Sequence, residues 1–294
     1  KYFLSNSPPG IPKHKNGFTK KQHIRNLQRK TLLGDIPMSK YGFDFPKSIR
    51  KTFLFDLEEN WYLPLLAERK GLPIQSVKRS NFGEYDMAVN YLTSVLEEAA
   101  AVNKVAIYNI DHMAQIRFWG KDTAKLLNRS LGANFIDMKV GSCKYTLLLN
   151  EQGGVQDDMI LMRVSDDEFI AVINAGHDIT DTIEENGIEK ELIADIDRIM
   201  NLKQDGEDVM AEDISDQLVK VDVQGPYSYK LIKEVFGDHV LRNRNNPEKN
   251  MNFFSFNEID REGHKYYFSR TGYTNRWGWE IYIPVKYAAE DFKK

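Results

Sequence analysis

The chain has a single cysteine, no apolar run near membrane-spanning length, and none of the short motifs that mark the commonest cofactor chemistries. Each absence removes a class. Cys143 alone cannot close an internal disulfide, which fits a reducing, cytoplasmic compartment. As a lone thiol it reads as packing rather than as a nucleophile. A bilayer helix needs about 18 consecutive apolar residues, and no stretch comes close, so no membrane partner is expected. The opening residues, KYFLSNSPPGIPKHK, contain neither an apolar signal core nor an initiating Met, and read as a trimmed or processed start. GxGxxG, the Walker loop, HExxH and CxxC are all missing, and the six histidines are scattered. Dinucleotide hydride transfer, phosphoryl transfer and zinc hydrolysis lose support, and no metal site is expected. No repeat of solenoid or propeller period is present.

What is present is unevenly charged. Residues 1–51 hold twelve Lys or Arg against Asp35 and Asp44, a net of +10 in a chain whose total is −3. Such an arm can bind nucleic acid. Without RNA-binding aromatic signatures or zinc-finger spacing, the favoured reading is a solvated extension over an acidic body, with no nucleic-acid partner. The chain's 294 residues suffice for roughly two domains on the length prior. We expect a basic arm over 1–50, one α+β unit over 51–205 and a second over 206–294.

Pattern places the elements. Met87, Tyr91, Val95 and Ala99 recur at helical spacing and predict a helix over 84–102. KVAIYNI and AQIRFWG read as short strands separated by Asp111-His112-Met113. KDTAKLLNRSLG reads as a short helix ended by Gly132. KYTLLLN, DMILMRV and EFIAVINA, joined by tight turns, predict an antiparallel meander. A helix is expected over 189–200, followed by a polar acidic loop. DQLVKVDVQGP then reads as a strand, YSYKLIKEVFG as a helix, RNRNNPEKN as a polar insertion, and NFFSFNEI, KYYFSRTG and WEIYIP as strands. Helices and antiparallel strands in mixed order give an α+β fold, mostly antiparallel sheets with flanking helices.

One stretch resists a bland reading. NEQGGVQDDMILMRV sets Asp157 and Asp158 at the mouth of an apolar strand, where an ionised acid is costly unless paired. Alternation sends the two to opposite faces. Asp158 leads Ile160, Met162 and Val164; Asp157 leads Met159, Leu161 and Arg163, and that side is expected to return to solvent. An acid beside a Gly-Gly turn ordinarily accepts turn amides, and pattern alone leaves that alternative open for Asp158.

Five blocks in order, YNIDHMAQIRFWG, KYTLLLNEQGGVQDDMI, FIAVINAG, VDVQGP and SRTGYTNRWGWEIYIP, make the chain resemble the glycine-cleavage T-protein (aminomethyltransferase) superfamily over residues 85–290. The resemblance implies T-protein-like folate-binding domains and tetrahydrofolate-dependent one-carbon transfer, by a methyltransferase, demethylase or aminomethyltransferase. It implies Asp158 beside the reactive folate nitrogen. Tyr145, Tyr273 and Glu280 would hold the pterin, and Met113 and Asn174 would wall the pocket. The partner would be a small-molecule methyl or aminomethyl donor, or a lipoyl carrier protein.

Departures accompany the likeness. TGYTNRWGWE stands where the family usually reads TGYTGEDGFE, so Asn275, Arg276 and Trp277 replace a Gly-acid-acid run. Trp277 and Trp279 would help close a pocket around a free donor. The chain stops at AAEDFKK, so the family's C-terminal β-barrel domain is expected to be absent from it. Two other readings compete. A non-catalytic folate binder of the iron–sulfur maintenance type would carry a cysteine near SRTGYTNRW, which this chain lacks. A pure interaction module would explain the arm but not the five blocks.

Overall fold

The computed structural model describes residues 50–294, apart from 74–77, 84, 93, 177–180, 186–187 and 193. The basic arm lies outside the described residues. Two large sheets dominate. Their strands, in chain order, are β1 (Ala106–Asn109), β2 (Ala114–Trp119), β3 (Cys143–Leu149), β4 (Val155–Arg163), β5 (Glu168–Ile173), β6 (Met210–Asp213), β7 (Leu218–Gln224), β8 (Phe256–Arg261), β9 (His264–Ser269) and β10 (Gly278–Pro284). The first sheet runs β6-β2-β5-β4-β3 and the second β8-β9-β10-β7-β1; every pair within them is antiparallel. The fold is thus α+β with mostly antiparallel sheets, and both sheets stay open. Each draws one strand from the other side of residue 205: β6 joins the first sheet and β1 the second.

Alternation decides what each sheet buries. On the first sheet Ile116, Phe118, Met159, Leu161 and Ala171 pack under α1 (Thr123–Ser130) and α2 (Asp195–Met200), which contribute Leu126, Leu127 and Ile199. On the second sheet Val219, Val221, Val223, Trp279, Ile281 and Ile283 pack under α3 (Ser228–Phe236) and α4 (Val285–Phe292). Each fully buried side chain of this size contributes about 1.5–3 kcal/mol through apolar burial. The remaining faces meet each other. Cys143, Met162, Ile170 and Val172 from the first sheet touch Leu218, Phe256, Tyr267 and Tyr282 from the second.

Three expectations are corrected. The helix over 84–102 is instead a strand, Tyr85–Asn90, followed by a short helix, Val95–Ala100. Tyr85, Met87 and Val89 are buried in alternation against a hairpin partner, Lys78–Phe82, and this period of two overrides the helical spacing. The helix over 189–200 keeps only Asp195–Met200; Ile188–Leu192 pairs with Asp181–Glu185 as a hairpin. The polar loop after residue 200 supplies β6, which pairs with β2 at the sheet edge.

The link between β1 and β2 crosses from one sheet to the other and carries Asp111. Its carboxylate accepts the backbone N–H of Phe53 at 2.9 Å and of Lys220 at 3.1 Å, pinning the crossing to β7. Burial pushes the Asp111 carboxyl up to about 7, although both backbone donors favour the anion.

A candidate site between the two sheets

The turn ahead of β4 satisfies itself. Asn150 Oδ1 accepts the amides of Gln152 (3.1 Å) and Gly154 (2.7 Å), and the Gly153 amide goes to the Asn150 carbonyl. Asp158 is therefore not occupied with turn amides. Asn174, just beyond β5, sets its Nδ2 2.7 Å from Asp157 Oδ1 and 3.1 Å from Asp158 Oδ1, so one amide spans both acids. The Asp158 backbone N–H donates to Asp157 Oδ1 at 2.8 Å. Asp158 shares its face with Ile160 and Met162, which pack toward the second sheet. Asp157's side, expected to return to solvent, does not: Met159 and Leu161 are fully buried because α1 and α2 cover it.

Tyr145 stands two residues after Cys143 on β3, on the face that carries Asp158. Its phenol is raised above the usual tyrosine range, first by desolvation, then by the charge of Asp158 beside it, with Tyr273 nearby. Tyr145 and Tyr273 are 51% and 76% exposed, so this end of the site is open. The structure thus brings Asp158, Asn174, Tyr145 and Tyr273 together at a mouth.

The opposite end is a buried polar floor on β7 and β10. Asp222 faces Glu280 directly across the strand pair, and Lys220 faces Tyr282. Alternation turns Lys220, Asp222 and Gln224 inward while the intervening valines join the outer core. Glu280 Oε2 receives Thr271 Oγ1 at 2.9 Å and the Tyr282 hydroxyl at 3.1 Å, and Lys220 Nζ lies 3.4 Å away. Lys220 Nζ also donates to the Met113 sulfur at 3.3 Å, which brings Met113 to the floor. Burial, then the charge of Glu280, holds the Asp222 carboxyl well above the usual carboxylate range; Gln224 and Lys220 act against this. His112, behind Lys220, is lowered to about 4 by burial first and by the Lys220 charge second.

A polar thread leads from the floor to the strand that carries Tyr145. From Glu280 it passes through Thr271 Oγ1 to Ser269 Oγ at 2.8 Å and on to Cys143 Sγ at 3.3 Å, two residues from Tyr145. Burial pushes the Cys143 thiol up to about 12, with the Ser269 hydrogen bond acting the other way, so this sulfur is a poor nucleophile.

The loop before β10 explains its own glycines. Gln224 Nε2 donates to Asp222 Oδ1 at 2.5 Å and to the Thr271 carbonyl at 3.1 Å, while Gln224 Oε1 accepts the Thr274 hydroxyl at 2.8 Å. A Cβ at Gly272 or Gly278 would sit 2.1–2.3 Å from that amide, so both positions must be bare. Asn275, where the family usually has glycine, has φ +53°, a left-handed conformation that asparagine tolerates better than most residues. Trp279 does not close a pocket. With Glu280 inward, alternation turns Trp279 outward into the α3–α4 core, and Trp277 is 70% exposed beneath the Arg270 guanidinium.

Sequence reasoning missed Lys220, Asp222, Gln224, Thr271 and Tyr282. A signal existed in the alternation of LVKVDVQ, but an alternating strand ordinarily turns its polar side to water. Here all seven residues are buried.

Comparison with known proteins adds to this geometry. Residues 74–294 match the family described as the GCVT N-terminal domain. Over 226 residues the chain is 30% identical to the aminomethyltransferase of Thermosipho melanesiensis, covering 76% of this chain and 55% of that protein. It is 31% identical over 206 residues to the aminomethyltransferase of Pseudothermotoga lettingae, covering 70% and 50%. The crystal structure of glycine cleavage system aminomethyltransferase T from Bartonella henselae has the same fold, with a TM-score of 0.63 at 23% identity over 84% of this chain and 56% of that one. The chain spans about half the length of the curated relatives it matches.

Proposed function

Since the chain belongs to the GCVT N-terminal domain family, we propose that it moves a one-carbon unit, methyl or aminomethyl, from a donor to tetrahydrofolate. The observation that carries the reading is the hydrogen-bonded chain from buried Glu280 through Thr271 and Ser269 to Cys143, on the strand that also sets Tyr145 beside Asp158. A reduced pterin fits the donor set. Its edge is rich in N–H groups, and Glu280 offers a buried carboxylate whose Oε1 has no partner among the described residues, while Lys220 balances Oε2. Glu280 would accept from that edge, with Met113 beside it through Lys220. Tyr145 and Tyr273 would flank the ring, and Asn174 would wall the mouth.

When bound, the folate supplies the nitrogen that receives the one-carbon unit. The work of this chain's residues is geometric and electrostatic. Asn174 restrains both carboxylates, so Asp158 enters the site already oriented. A fixed carboxylate there stabilises positive charge that develops beside it. Positioning and charge stabilisation rank above proton removal, because a side chain anchored at a strand holds geometry well. The wide exposure of Tyr145 and Tyr273 supports a mouth open to a donor carried on a partner, such as a lipoyl protein, over a donor sealed in a closed pocket. A non-catalytic folate binder of the iron–sulfur maintenance type is disfavoured, since SRTGYTNRW holds no cysteine. A cytoplasmic setting belongs to the same proposal; among the described residues no helix is long and apolar enough to cross a membrane.

The test is a transfer assay with tetrahydrofolate against methylated amines, a methyl sulfonium compound and an aminomethylated lipoyl carrier. Formation of the one-carbon folate from at least one donor supports the proposal. Folate binding with no transfer from any of them favours the non-catalytic reading.

A further inference from the structure

Two carboxylates and one cation share the floor. Asp222 and Glu280 are directly opposed on β7 and β10, which sets their Cβ atoms about 4.5–5.5 Å apart on the same face. Both are 6% exposed. Lys220 Nζ reaches Glu280 Oε2, and no second Lys or Arg pairs with either acid among the described residues. Like charges this close and this dry cannot both persist with one counter-charge, so the pair holds a proton. Geometry says which acid keeps it. Glu280 has Lys220, Thr271 and Tyr282 on one oxygen, all favouring its anion. Asp222 has one neutral amide donor, Gln224, on Oδ1, and no partner for Oδ2 among the described residues. The titratable groups that face Asp222 are Lys220 on its own strand, Glu280 and Tyr282 on β10 and Tyr108 opposite it on β1, with Cys143 on β3 beyond Glu280 and Tyr282.

We propose that Asp222 is a second ligand-reading group of this site, a protonated carboxyl that donates its O–H while the neighbouring Glu280 carboxylate accepts. One donor beside one acceptor complements a cyclic amide, an N–H next to a C=O, and a pterin ring carries such a lactam. Two carboxylates would instead offer acceptors alone and repel the carbonyl oxygen. The inference rests on the folate reading for the ligand's identity, but not for the proton. The raised position of the Asp222 carboxyl, caused by burial and by Glu280, agrees with the geometry.

Two measurements on the same chain separate these parts. The first is the infrared difference spectrum of the unliganded wild type against Asp222→Asn at neutral pH. A protonated-carboxyl band lost in the variant is expected; its absence overturns the proposal. The second is calorimetry with tetrahydrofolate over the pH interval in which that band titrates, for wild type, Asp222→Asn and Asp222→Leu. Wild-type affinity falls about tenfold over the interval in which the infrared band titrates away, the size of one lost hydrogen bond. Asp222→Asn, whose amide donates at every pH, stays level, and Asp222→Leu is about tenfold weaker throughout. An Asn variant that falls with wild type, or a Leu variant that binds as wild type does, overturns the assignment. A wild type that never binds the folate sinks the lactam assignment together with the folate reading. The infrared band is unaffected by that outcome and still decides where the proton sits.

Discussion

Two pairs of acids line this molecule, and they are built in opposite ways. Asp157 and Asp158 are adjacent in the chain and so must point to opposite faces of β4; one half-buried amide, Asn174, holds them. Asp222 and Glu280 are distant in the chain, yet strand pairing puts them on one face, where a buried lysine pairs with Glu280 and a neutral amide, Gln224, with Asp222. The mouth pair stays near water, so charge is cheap there and the protein supplies only orientation. The floor pair is dry, so each charge must be answered by a partner or a proton. Orientation without desolvation suits a group that acts on a passing reactant, whereas a desolvated and compensated pair suits recognition of a ring.

The comparison breaks first at Lys220. Lys220→Met leaves Glu280 buried beside Asp222 without a counter-ion, and we expect a loss of about 3–5 kcal/mol in denaturant unfolding. Adding Glu280→Gln to it should recover more than half of that loss; a double variant no better than the single would show that the lysine acts through packing alone. At the mouth, Asp158→Asn should slow one-carbon transfer about 100-fold while changing tetrahydrofolate affinity less than about threefold. Parallel losses of rate and affinity would place Asp158 in binding instead.

Smaller effects sharpen the contrast. His112 titrates lower when folded, near 4, than its usual value near 6.5, so the unfolded chain binds more protons between those values. That stability is present above the unfolded value and is lost as pH falls toward 4. His112→Phe, placed beside Phe82 at a centroid distance of 5.4 Å, should therefore gain on wild type between pH 7 and 5 in paired urea melts. Equal pH slopes would contradict a buried neutral imidazole. Smallest is Asp157→Ala, which removes the 2.7 Å contact to Asn174 and should cost about 1 kcal/mol, with transfer slowed less than tenfold. A rate loss matching that of Asp158→Asn would make the two acids equal partners.

The opposed faces of Asp157 and Asp158 were legible in the sequence because the two sit side by side, whereas Tyr145, Asn174 and Tyr273 were drawn from the family resemblance and the cover over Asp157's side was not foreseen. The meander β3–β5 was legible for the same reason, since tight turns keep its strands local. The floor was not. Asp222 meets Glu280 only when β7 pairs with β10, and whether the polar side of LVKVDVQ faces water depends on a second sheet covering it. The stretch from Tyr85 to Asn90 was misread because apolar residues four apart mimic a helix, whereas pairing with Lys78–Phe82 favours the alternation it also contains. Trp279 looked like a pocket wall until the inward turn of Glu280 fixed its parity.

The most direct test is a calorimetric titration of tetrahydrofolate into wild type, Glu280→Gln and Asp158→Asn under one set of conditions. The account predicts that wild type binds, that Glu280→Gln loses at least about tenfold in affinity, and that Asp158→Asn binds nearly as wild type does. Equal affinities for wild type and Glu280→Gln would contradict it, because the buried floor would then play no part in holding the ring.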